Sequence, residues 1–181
     1  TRWLARLEEA DPLSHQVRLE RLLAQGDPAL SRKLADGIQS ELPEQALFEL
    51  AAWYVEVGDS TVAGRVLEAA GDVPEALYWR ASLLDSTAAG AALLTRANAL
   101  SPRFVFPFRR EMVPSLEWAV EESPDWKPRY YLALAYWGSG RVVAADSLLT
   151  SLGDTPDYAP FYAARASLPG RSAESAQRDL E

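Results

Sequence analysis

Apolar positions along this chain fall in short blocks of helical period, separated by glycine, proline and aspartate. The clearest block is Tyr130 to Leu149, YYLALAYWGSGRVVAADSLL. Leu132, Ala133 and Tyr136 share one helical face, Gly138 and Gly140 allow a tight turn, and Val142, Ala145, Leu148, Leu149 and Leu152 line a second face. Two amphipathic helices in succession follow from this pattern. Neither can bury its stripe alone, so such a unit is expected to stack on copies of itself.

The same punctuation divides the rest of the chain. Helices are expected over Thr1–Ala10, Leu13–Gln25, Pro28–Ile38, Pro43–Val57, Ser60–Ala70, Pro74–Leu84 and Ala88–Leu100, with Asp11-Pro12, Gly26-Asp27, Gly58-Asp59, Gly71-Asp72 and Ser101-Pro102 between or after them. The regularity breaks at FVFPFRREMVPSLEWAVEESPDWKP, where Pro107 prevents one helix through Phe104, Phe106 and Phe108. Their alternation predicts an extended segment laid over the helices, followed by a short helix near Val113–Glu122. This irregular insertion spans 101–126. Its phenylalanines are read either as packing over an apolar helix face or as a binding lip.

The residue order of these units resembles the tetratricopeptide repeat, whose pattern is W-x2-L-G-x2-Y, then A-x3-F, then P. Arg129, Leu132, Ala133, Tyr136, Ala145, Leu149 and Pro156 follow it loosely. Leu47, Leu50, Ala51, Tyr54, Gly58, Ala63, Leu67 and Pro74 follow it more closely. A shortened copy runs through Leu77, Arg80, Ala81, Leu84, Gly90, Leu94, Ala97 and Pro102, so its turn must be tighter. An earlier copy from His15 is degenerate, and a last one begins at Tyr162, Arg165 and Ala166. There the tetrapeptide RASL repeats the one at Arg80. Ala51, Ala81 and Ala133 occupy positions where two helices cross closely, and a large side chain there would force them apart. The stretches SPRFVFPFR, WKPRYYLALAYW and APFYAARA more distantly resemble the helical-repeat portion of large bacterial proteins that carry a sugar-enzyme-like β-rich region.

The resemblance implies an all-α fold: a right-handed α-α superhelix of antiparallel helix pairs, residues 1–181 forming one repeat domain with the insertion inside it. Because the sequence starts and stops within helical patterns and lacks an initial methionine, it is expected to be a fragment of a longer protein. The implied function is non-catalytic binding of a peptide or partner protein in the concave groove. Groove positions are expected at Phe48, Val55, Tyr78, Lys127, Tyr130, Leu134 and Trp137, and a basic corner at Arg103, Arg109 and Arg110 for an acidic ligand. Trp53, Tyr54, Trp79, Tyr131 and Tyr136 are expected between repeats. The lysine, arginine and asparagine set that clamps a peptide carboxylate in some members of the family is missing here. The alternative is an accessory region of a carbohydrate-active bacterial protein that contributes to glycan recognition or assembly.

Composition narrows the chemistry. The 181 residues are 48% hydrophobic, enough for an extended core. No apolar run is long enough to cross a bilayer. A net charge of −8, from 18 basic and 26 acidic residues, argues against general nucleic-acid binding. With no cysteine and one histidine, His15, disulfides, thiolate nucleophiles and histidine-rich metal or acid–base sites are excluded. The adjacent carboxylates Glu8 and Glu9, Glu121 and Glu122, and the pair Asp154 and Asp157 are expected to be solvated rather than catalytic. No phosphate loop, nucleophile elbow or dinucleotide fingerprint is present. No cofactor, metal or catalytic residue is therefore expected. Cytoplasmic placement and pairing of copies through the repeat ends are the remaining expectations.

Overall fold

The computed structural model describes residues 2–85 and 87–181; Thr1, the expected first residue of the first helix, lies outside them. All regular structure among the described residues is helical. In chain order the helices are α1 (Arg2–Ala10), α2 (His15–Ala24), α3 (Leu30–Gly37), α4 (Pro43–Glu56), α5 (Ser60–Ala69), α6 (Pro74–Leu84) and α7 (Ala88–Ala99). After a 3-10 turn at Arg110–Met112 come α8 (Val113–Glu122), α9 (Trp126–Gly138), α10 (Val142–Ser151), α11 (Ala159–Ser167) and α12 (Ala173–Leu180).

Local chemistry sets these boundaries. Pro43 and Pro74 open α4 and α6, where a missing N–H loses no intrahelical bond. Asp59, Thr87 and Asp125 cap α5, α7 and α9 by accepting from the amides of Val62, Gly90 and Lys127 at 2.9, 3.1 and 2.8 Å. Gly58 and Gly140, at φ +84° and +81°, turn the chain out of α4 and α9 through the left-handed region. The α6–α7 turn is tight, as its shortened sequence requires. A Cβ at Gly90 would stand 2.3 Å from the carbonyl oxygen of Asp85.

Consecutive helices joined by these short turns pack as pairs: α2 with α3, α4 with α5, α6 with α7, α9 with α10 and α11 with α12. The pairs are joined through α3 on α5, α5 on α6 and α10 on α11, while α8 packs against both α6 and α9. Ala51, Ala63, Ala81, Ala133 and Ala145, the small positions of the pattern, are all buried. Helix α6 is hemmed in by α5, α7 and α8, and accordingly buries Pro74, Ala76, Leu77, Tyr78, Trp79 and Ala81. One continuous cluster of buried side chains runs from Leu19 to Leu168. Each large member contributes about 1.5–3 kcal/mol of transfer free energy. None of the described helices is long and apolar enough to cross a membrane.

Candidate functional site

Between α7 and the 3-10 turn the chain runs as a strap, Arg103–Arg109, without regular structure. Exposure alternates along it. Phe104, Phe106 and Phe108 are 91, 59 and 59% exposed, whereas Val105 and Pro107 between them are buried. Past the turn at Arg103–Phe104, an extended course sends successive side chains to opposite sides, and the smaller apolar residues face inward while the rings face out. Phe104 sits at φ +62°, a left-handed conformation unfavourable for an aromatic residue.

The strap is fastened at several points. Tyr158 Oη donates to the Pro102 carbonyl at 3.1 Å. Arg109 Nε donates to Gln45 Oε1 at 2.7 Å and its Nη2 to the Gln45 carbonyl at 3.3 Å, with Glu49 Oε1 3.8 Å away. Met112 is buried just beyond. On the other side, the backbone of Phe108 passes Gly138, whose constructed Cβ would lie 3.8 Å from Phe108 Cα. The strap therefore reaches from α4 to the end of α9, and Val105 and Met112 join the same buried cluster as Phe48 and Tyr78.

This placement corrects the expected groove. Phe48, Tyr78 and Tyr130 are at most 1% exposed and belong to the core. Phe48 packs at 6.3 Å from Trp79, and Tyr78 Oη donates to Asn98 Oδ1 at 2.7 Å, tying α6 to α7. Tyr130 lies among Trp126, Tyr131, Tyr158 and Phe161, where burial pushes its hydroxyl pKa up to about 12. Lys127 is also committed internally, its Nζ donating to the Asn98 carbonyl. Leu134 and Trp137 are half-buried against the core, and Val55 is the exposed member of the expected set. Trp53, expected between repeats, is 40% exposed, while Tyr54, Trp79, Tyr131 and Tyr136 are buried.

At the N-terminal end of the strap, the first turns of α4 and α6 face it across a cavity of about 510 Å³. Phe48, Phe104 and Val105 supply apolar walls; Glu44, Glu75 and Arg103 supply charge. Asp72 at the rim pairs with Arg96 at 2.5 Å. Glu44 and Glu75 are half-buried and make no ion pair or bond to another side chain among the described residues. Burial pushes the Glu75 carboxyl above its ordinary pKa, its own backbone amide partly opposes this, and the charge of Glu44 raises it further. Tyr131 Oη, fully enclosed and without a hydrogen-bond partner, is raised by burial and then by Tyr78 and Glu75.

The expected basic corner is thus electrostatically mixed. Arg109 is spent on Gln45 and Glu49, Arg103 shares its cavity with Glu44, Asp72 and Glu75, and Arg110 is exposed beside the exposed Glu111. A larger cavity, about 830 Å³, opens between α11 and α12. Its polar wall is explained by packing: Arg165, 7% exposed, holds Asp179 through Nη2 and Nε at 2.5 and 2.9 Å and donates to the Gly153 carbonyl at 2.5 Å. In sequence Arg165 stands only as part of a repeat beginning at Tyr162. The signal was the RASL tetrapeptide itself, since Arg80 lies 3.6 Å from Glu68 in the other copy.

His15 opens α2 with Nδ1 buried and unpartnered. The adjacent carboxylates do not form desolvated pairs: Glu8 bonds to Arg21 at 2.7 Å, Asp154 lies 3.2 Å from Arg165, and Glu121 and Glu122 are exposed. Among the described residues no group of three or more histidines or carboxylates is placed to hold a metal ion. No protein-family model matches the chain, and searches of curated proteins and of solved structures return no match.

Proposed function

We propose that this chain is a non-catalytic protein-interaction module, a tetratricopeptide-like right-handed superhelix of helix pairs, in which the strap fills the inner face and itself presents the docking surface. The observation that carries this reading is the row of three outward phenylalanines. Large aromatic side chains are normally buried, and several exposed together mark a contact surface. Aromatic anchors also give much contact area with little rotamer freedom to lose. A cavity with both apolar and charged walls lies beside the row, at its Phe104 end.

Selection from a displayed peptide library on the wild-type chain and on the Phe104→Ser, Phe106→Ser, Phe108→Ser triple variant tests the reading. Wild type should enrich related peptides, and the variant should lose them while melting no lower than wild type. No enrichment, or equal enrichment by the variant, would sink it. Binding on a glycan array that depends on the same three rings would instead support the carbohydrate-linked alternative.

A further inference from the structure

We propose that the cavity beside Phe104 receives a cationic side chain, lysine or arginine, carried by a basic segment of the partner, which is held between the Phe104 ring and the carboxylates of Glu44 and Glu75. This rests on the strap being the docking surface and adds the chemistry of what docks there. Several features converge on it.

Glu75 is half-buried with no counter-charge, and Glu44, from the first turn of the neighbouring helix, faces the same cavity. Two carboxylates brought together away from bulk water repel one another, and a cation between them removes both the repulsion and the loss of hydration. Phe104 is 91% exposed at the mouth of that cavity, where its face is open to a cation. Outside the cavity lining, the buried Tyr131 hydroxyl lacks a hydrogen-bond partner and has its pKa raised by burial and in part by the charge of Glu75, whose own backbone amide is the contact that opposes the carboxyl's shift. Arg103 lines the same cavity yet pairs with neither carboxylate, leaving the lining acidic on balance. The whole chain, at −8, draws basic partners at longer range.

Three labelled peptides of alternating leucine with lysine, glutamine or glutamate separate the possibilities by fluorescence anisotropy on the full chain. The lysine peptide should bind about tenfold tighter than the glutamine peptide at low salt, a difference that shrinks as salt is added. The Glu44→Gln, Glu75→Gln variant should lose that preference, bind the glutamine peptide as before and melt no lower than wild type. A preference for the glutamate peptide, or a lysine preference that survives in the double variant, overturns the inference. Equal binding of all three that still requires the phenylalanines overturns it while leaving strap docking intact. Absence of binding by any peptide overturns both.

Discussion

The pair α6–α7 and the strap line one cavity and share one buried cluster, yet they divide apolar residues in opposite ways. On α6, Tyr78 and Trp79 are adjacent in sequence and both buried, because packing partners stand on more than one side of the helix. In the strap, adjacent residues separate cleanly: Val105 goes in and Phe106 goes out. A helix surrounded by others keeps nearly everything it has, while an extended segment lying on a finished surface can offer alternate side chains to solvent. The difference teaches where to look for function in this molecule. Most of its helical aromatic residues serve cohesion, Trp3 and Trp53 being exposed, and the run of three outward rings comes from the irregular segment.

The strongest test of that contrast is Phe48→Ala, expected to lose about 3–5 kcal/mol in urea unfolding because it empties a core position. A loss comparable to that of a surface substitution would return Phe48 to the groove. Next comes Arg109→Met, which removes the clasp on Gln45. A loss of about 1–2 kcal/mol is expected, with faster proteolytic cleavage between residues 103 and 112. Unchanged cleavage would mean that burial of Val105 and Met112 alone holds the strap.

Phe104→Gly should act in the other direction, raising stability by roughly 1 kcal/mol as the left-handed strain is relieved. Peptide binding should weaken in the same variant. The smallest effect is the pH dependence of Glu75→Gln. The folded-state pKa of Glu75 is raised, so wild type loses stability as pH climbs from the ordinary glutamate value through that raised value. The variant should therefore match wild type in acid and melt higher than it toward neutral pH. A gap that closes with rising pH would reverse the assignment of Glu75 as a destabilised carboxylate.

Helix positions were legible because they are written in local chemistry: proline at the first turn, an aspartate or threonine cap, a glycine that permits positive φ. The burial of Ala51, Ala81 and Ala133 was legible for the same reason, since small size at a fixed spacing is a local property. The groove was not. Whether Tyr78 or Tyr130 faces solvent depends on what lies across from it, and Asn98, Tyr158 and the strap are supplied from distant sequence. Alternation identified the in-and-out pattern of the strap but not the turn at Arg103–Phe104, where Phe104 is left-handed, and period two does not say which parity faces in. That choice follows from what the strap lies upon. Likewise, three nearby arginines in sequence read as one basic corner, while the fold spends Arg109 on Gln45 and Glu49, sets Arg103 in the cavity wall and leaves Arg110 exposed.

The clasp between Arg109 and Gln45 joins residues 64 positions apart. In a stack where each unit touches only its neighbours, melting can begin at one end and spread unit by unit. Here, opening the pair α4–α5 must also pull on a segment that borders α9. The middle of the molecule should consequently come apart as one event, with its slowest-exchanging amides in α4, α6 and α9 sharing a single opening free energy.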